Sequence, residues 1–414
     1  MRHVIIGAGP TGVVAAETLR AQDSEAEIVL VGGEAEPAYS RMAIPYLLAG
    51  QIDESGTYLR HTPGHFENLG IHCIQDQVGA LDAGSRRLSL KSGESLEFDR
   101  LLIASGSQPV KPPVAGLDQA AIHHCWTLED ARHIAQYAAA GSRVVLMGAG
   151  FIGSIIMEAM VRRKVQLTVV EMADRMVPRM MDQTAGNLIK RWCMSQGVEV
   201  KTSTQVTAVK PDLSGRARYL LETTPEGEIS ADLIVVATGV RPTIEFLKSS
   251  VIETRQGVVV DDYLRTSVEG IYAAGDVCEG FDWNTGNRAI HAVQPVAVET
   301  GRLAALNMSG RKTHYSGSLG MNVLDSIGLI STSYGQWQGI DDGDEAELLD
   351  ESRYKYIKLQ FEEDRLIGAI TLGFTEHVGV LRGLIQSRIK LGEWKQRLVR
   401  DPSRIMEAYL ASSQ

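Results

Sequence analysis

The chain has 414 residues, of which 44% are hydrophobic and 22% charged, and a formal net charge of −10. At roughly 100–200 residues per domain, this length is enough for two to four domains, each with its own core. The acidic balance argues against nucleic acid as a default partner, because phosphate backbones are bound by basic faces.

Cys73, Cys125, Cys193 and Cys278 are the four cysteines, and none stands in a CxxC pair. That spacing speaks against a structural zinc site or a redox dithiol, and no metal is expected. Unpaired cysteines suit a reducing, cytoplasmic compartment. No apolar run reaches ~18 residues, so no membrane span is expected. The first residues, MRHVIIGAGPTG, run directly into a fold motif, and no signal peptide is expected.

In chain order, the first predicted unit is HVIIGAGPTGVVAAETLR, His3–Arg20: a short apolar strand, a glycine turn and a helical pattern. A second apolar run, AEIVLVGGE, follows and ends at Glu34. The same design returns in RVVLMGAGFIGSIIMEAMVR, Arg143–Arg162, followed by VQLTVVE, which ends at Glu171. Strand, glycine turn, helix and strand make a βαβ unit. A lone GxGxxG is a weak signal, but two in this context point to two dinucleotide sites. Gly7 and Gly148 allow the tight turn, Gly9 and Gly150 let backbone approach a pyrophosphate, and Gly12 and Gly153 let helix pack close to strand. Pro10, Thr11, Phe151 and Ile152 complete the two loops. The anion would rest on free N–H groups at the helix N-terminus.

The acid after the second strand selects the cofactor. Glu171 is placed to bind a ribose, and the residues after it, Met172 to Asp174, offer no base for a 2′-phosphate. NAD is therefore favoured over NADP. In the first unit the ribose acid comes late, at Glu34.

Two later segments, LLIASGSQP (Leu101–Pro109) and LIVVATGVRP (Leu233–Pro242), share a strand, a small-residue turn and a proline. GIYAAGDVCEG (Gly270–Gly280) ends a strand in Gly275-Asp276. Asp276 there is either a ligand to a ribityl or phosphate oxygen, or a helix N-cap, or both. From about residue 315 the character changes. Asp341–Glu351 is acidic, Tyr354–Phe361 and Arg365–Gly373 read as a hairpin, and Glu376–Trp394 reads as a helix with Leu381, Leu384, Ile385 and Ile389 on one face. Residues 382–404 are basic. The expected fold is α/β: two nested doubly wound, Rossmann-like nucleotide domains and a small α+β C-terminal domain.

GAGPTG, GAGFIG, ATGVRP and IYAAGDV, in this order, resemble the FAD- and NAD(P)-dependent pyridine nucleotide–disulfide reductases. PVAVETGRLAALNMSG and GSLGMNVLDSIGL are similar to the branch holding NADH–rubredoxin reductases and the flavin segment of NADH-dependent nitrite reductases. The resemblance implies an FAD domain over 1–110 and 240–315, an NAD domain over 111–239 and an interface domain over 316–414, which in this family often forms a homodimer. It implies FAD contacts at Gly7, Gly9, Gly12, Ser105, Gly106, Gly275 and Asp276, and NAD contacts at Gly150, Gly153, Glu171 and Gly239. Gln294 and Pro295 fall where backbone meets the flavin edge.

Three positions depart from the family pattern. Ile155 stands where many relatives have a Glu near flavin N5. Tyr46 stands where the electron-transfer branch often has a Lys. Met42 stands where thiol-using relatives have a reactive Cys, and a thioether forms no thiolate. Tyr46 and His291 are the candidate catalytic residues, each set against a role as a structural core side chain. Arg41 is read either as a contact to the flavin or its pyrophosphate or as a surface salt bridge. His61 and His65 are expected in a solvated loop, and Cys278 buried and inert. The resulting expectation is an NADH-dependent FAD oxidoreductase that delivers electrons to a rubredoxin or ferredoxin. The alternatives are a reductase of a disulfide, quinone or O2, a flavin subunit of a larger complex, and a redox-sensing binding module.

Overall fold

A computed structural model describes residues 1–225 and 227–412. The chain forms two compact units, one of 1–47, 52–109 and 240–318, the other of 48–51, 110–239 and 319–414.

In the first unit a five-stranded parallel sheet has the order Ile271–Ala273, Arg100–Ile103, Arg2–Ile6, Glu27–Gly32, Ile71–Gln75. The apolar runs found in the sequence are these strands. Val4, Ile5, Leu101 and Leu102 are fully buried, as expected of parallel strands covered on both faces. Helices Pro10–Gln22 and Gln294–Met308 pack against each other, and glycine makes the approach possible: a Cβ on Gly301 would lie 2.5 Å from the Thr11 carbonyl oxygen. The two strand–turn–proline segments meet as Ser107–Pro109 pairs antiparallel with Val240–Pro242.

The second unit repeats the design. Its parallel sheet runs Glu199–Lys201, Gln166–Val170, Arg143–Met147, Leu233–Val236, Ile122–His123. The same unit holds the C-terminal antiparallel sheet, ordered Met321–Ser326, Leu329–Gly335, Arg365–Leu372, Lys355–Glu362, Asp344–Asp350. The expected hairpin is its centre. The acidic run is its edge strand, with Asp344 and Glu345 paired to Lys395 and Lys358. The single helix expected over 376–394 is instead two, Val378–Ser387 and Glu393–Arg400. Arg388 turns left-handed at φ 49° and ends the first helix, so Ile389 falls outside the buried face of Leu381, Leu384 and Ile385. Among the described residues no helix is long and apolar enough to cross a membrane.

Candidate functional site

The two glycine loops separate glycines needed by the fold from glycines it does not need. Gly7 has φ +111°, and a Cβ there would lie 2.1 Å from the Ala104 oxygen; one on Gly12 would lie 1.9 Å from the Gly7 oxygen. Gly9 is different. Its φ of −78° suits any residue, and nothing lies within 4 Å of the position a Cβ would take. Packing therefore does not explain glycine there, whereas close approach of a ligand does. The second loop repeats this: Gly148 and Gly153 are closed by backbone at 2.4 and 2.1 Å, and Gly150, at φ −74°, faces open space. Both helices start without a side-chain cap, so their first N–H groups are open to an anion. Pro10 opens its helix where a missing N–H costs nothing. These cradles fit the pyrophosphates of FAD and NAD.

Around the first loop, Glu34 is held by two neighbours. Arg41 Nη2 donates to its Oε1 and the Tyr39 hydroxyl to its Oε2, each at 2.5 Å. Arg41 therefore forms an ion pair with the ribose candidate. Ser105 donates its hydroxyl to the Thr243 carbonyl at 2.8 Å. Gly106 and Gly275 both have positive φ, and a Cβ on Gly275 would strike the Thr11 hydroxyl. The Gly275 N–H bonds Thr300 Oγ1 at 3.0 Å. Asp276 lies inside the short turn Gly275–Val277, whose N-cap is Ala274, so it does not cap a helix. Burial raises its carboxyl above the usual range, against a 3.0 Å hydrogen bond from Ser107 and the charge of Arg41. A largely buried carboxyl with this balance suits a hydroxyl partner.

Gln294 begins its helix, Pro295 follows, and Ser40 donates to the Gln294 side chain at 2.9 Å. This bond ties the helix start to the segment bearing Met42 and Tyr46. Those side chains are 45% and 55% exposed, which rules out the core-tyrosine alternative for Tyr46. His291 Nε2 lies 3.1 Å from Asp282 Oδ2 and is buried.

In the second unit Glu171 accepts the backbone N–H of Ala149, inside the glycine loop, and of Ala173, each at 2.8 Å. Met172, the next residue, is 69% exposed. Arg175 is occupied by Asp174 and the Met181 carbonyl. Phe151 and Ile152 lie half-buried in the first helical turn, and Gly239 has φ +121° with open space beside it. Ile155 lies on the same helix, and Glu158 is engaged by Arg162 at 2.8 Å.

Ser40, Ser107, Thr243 and Thr300 carried no sequence signal, because each acts on a residue from another segment, and Tyr39 meets Glu34 across a turn that no motif marks. His65 is not solvated as expected: it meets Glu17 at 2.8 Å, beside Arg60. Cys125, Cys193 and Cys278 are buried, and burial pushes the thiols of Cys193 and Cys278 up to about 12. Cys73 is exposed on strand Ile71–Gln75, with its thiol also raised by partial burial and by Glu67.

Two Rossmann-like sheets, each with a pyrophosphate cradle, define a protein that binds two dinucleotides. Residues 1–299 match the family described as pyridine nucleotide-disulphide oxidoreductase, and residues 321–389 match the rubredoxin NAD+ reductase C-terminal domain. The chain belongs to the pyridine nucleotide-disulphide oxidoreductases and is an oxidoreductase that uses FAD and NADH. It is 29% identical to the NADH-dependent phenylglyoxylate dehydrogenase subunit epsilon of Aromatoleum evansii, over 97% of this chain and 95% of that one. It is 27% identical to a rubredoxin-NAD(+) reductase of Pseudomonas putida, over 93% and 99%. The covalent putidaredoxin reductase–putidaredoxin complex contains a chain of the same fold, with TM-score 0.90 over 100% of this chain and 99% of that one, at 23% identity.

Proposed function

We propose that this chain takes hydride from NADH onto FAD and passes the electrons to a small iron–sulfur protein such as a rubredoxin or ferredoxin. The observation that carries this reading is Met42: the segment bearing it offers a thioether where a thiol relay would need a cysteine. When bound, FAD supplies the conversion of a two-electron donor into one-electron steps. FAD is held by residues of 1–110 and 240–315: the loop Gly7–Gly12, with Glu34 on the ribose and Arg41 behind it, Ser105, Gly106, Asp276, Gln294 and Pro295. NADH is held within 111–239 by the loop Gly148–Gly153, Glu171 and Gly239. Residues 316–414 supply an interface, including that of a homodimer, and cysteines without partners suit a reducing cytoplasmic compartment. The rubredoxin-reductase relative, matched over nearly its whole length, supports the choice of acceptor.

A second reading is a flavin subunit of a larger redox complex, favoured by the end-to-end match to a dehydrogenase subunit. Anaerobic NADH added to the purified, FAD-containing protein should bleach the flavin, and added rubredoxin or ferredoxin should restore its colour in a catalytic cycle. Thiol alkylation should leave bleaching intact. Turnover with a disulfide or quinone but with neither carrier would overturn the proposal. Slow turnover with every acceptor, together with a co-purifying partner, would favour the subunit reading.

A further inference from the structure

A carboxylate–imidazole pair, Asp282 and His291, lies just before the helix start assigned to the proposed flavin site. Asp282 follows strand Cys278–Phe281, and its Oδ1 accepts the backbone N–H groups of Asn284 at 2.9 Å and Thr285 at 2.8 Å. With one oxygen fixed, the other lies 3.1 Å from His291 Nε2, and both side chains are 11% exposed. Nε2 is buried without a well-aligned hydrogen-bond partner, and the Asp282 carboxylate beside it lies off the bond line. Burial works against a charged Asp282, yet His291 and Thr285 hold its carboxyl below the usual range.

His291 leads directly into helix Gln294–Met308, with its carbonyl accepting the Val293 N–H at 2.9 Å. The helix has no side-chain cap and no acid in its first turn, so its N-terminal N–H groups are left open. Gln294 is bonded to Ser40, beside the segment that carries Met42 and Tyr46. Other charged or titratable groups nearby include Arg288, bonded to the Val260 carbonyl, the buried thiol of Cys278, Glu279, Glu299, and Tyr315, whose hydroxyl is paired with Ser318 and which senses Cys278, Glu299 and Asp282.

We infer that His291, held by Asp282, is the proton-exchanging group that balances negative charge arriving at the N-terminal end of helix Gln294–Met308 when FAD is reduced. The inference rests on the reading that FAD lies at this helix end. Hydride carries one proton and two electrons, so its transfer leaves one surplus negative charge. One proton from solvent enters the His291 imidazole to balance it; when both electrons pass to the acceptor, that proton and the one delivered with the hydride both return to solvent. Asp282 is a positioning residue that stabilises the charged ring.

Proton uptake measured with an indicator dye, as NADH is added anaerobically to the holoenzyme from about pH 6 to about pH 9, tests this. At its maximum the wild type should take up one more proton per NADH than His291→Gln. The midpoint potential, titrated against a reference dye, should change with pH more steeply in the wild type than in His291→Gln. One proton per two electrons is a tenfold change in the equilibrium per pH unit, about 30 mV. Asp282→Asn should move the uptake window to lower pH. Equal uptake and equal slopes in wild type and His291→Gln overturn the inference, and so does the absence of uptake in the wild type if the variants do not fold. Protein that holds FAD and bleaches with NADH but shows no extra proton defeats the inference alone; protein that takes up no FAD defeats the functional reading beneath it.

Discussion

Glu171 shows how much one carboxylate decides. Bonded to Ala149 and Ala173, its carboxylate is fixed against the glycine loop, and in the proposed site it would bind a ribose and repel a 2′-phosphate. Glu171→Ala should lower kcat/KM for NADH about tenfold, the scale of a hydrogen bond to a charged group. Adding Met172→Arg, at an exposed position, should raise NADPH use at least tenfold. Unchanged NADH kinetics in Glu171→Ala would remove the carboxylate from the site. His3 acts on stability instead. It is 2% exposed in strand Arg2–Ile6, and burial, reinforced by Arg100, lowers its pKa to about 4. The unfolded chain takes up the proton near pH 6.5, earlier than the folded one. Stability is therefore complete above about pH 6.5 and falls as pH drops towards 4, by about 3 kcal/mol in all. Urea unfolding of His3→Val should lose this contribution to the pH dependence, and curves for wild type and variant that stay parallel from pH 7 to pH 4 would disprove it.

The glycine turns are where the element scale is most informative. Local pattern placed both, because a strand, a tight turn and a helix are encoded within about 20 residues. Only the built backbone shows which glycine serves the fold. Gly12→Ala drives a methyl group into the Gly7 carbonyl and should destabilise the protein by several kcal/mol, beyond ordinary overpacking. Gly9→Ala meets no protein atom and should fold normally while retaining FAD at least tenfold less tightly, as read by flavin release on dilution. Normal FAD retention in Gly9→Ala would mean that this cradle does not face the pyrophosphate. The break at Arg388 is the opposite case. Periodicity continued past it, and the end of the helix was set by one left-handed residue that no local pattern marks.

On the scale of the whole chain, the C-terminal sheet is built into the second unit rather than appended to it. The Tyr356 hydroxyl donates to Asp182 at 2.7 Å, and the same carboxylate caps helix Gln183–Ser195 by accepting Ala185 N–H at 2.9 Å. Trp192 Nε1 donates to the Ile327 carbonyl, and Arg191 pairs with Glu351 at 2.9 Å. Asp182→Ala should cost about 2–3 kcal/mol, a lost cap plus a lost charged hydrogen bond, and Tyr356→Phe about half of that. Thermal denaturation compares them, and an unchanged midpoint in Asp182→Ala would show that this contact does not secure the sheet.

By itself the sequence determined both βαβ units and their order, and it carries the acid, Glu171, and the methionine, Met42, on which the proposed NAD selection and the proposed thiol-free route rest. Each of these depends on residues a few positions apart, where backbone geometry and side-chain type are enough. Tertiary structure alone decided that Arg41 braces Glu34, that Ser40 meets Gln294, that Asp282 faces His291, and that the acidic run is a sheet edge. Ser40 and Gln294 are 254 positions apart, and even the nearer pairs, Arg41 with Glu34 and Asp282 with His291, meet across turns whose path local periodicity does not record.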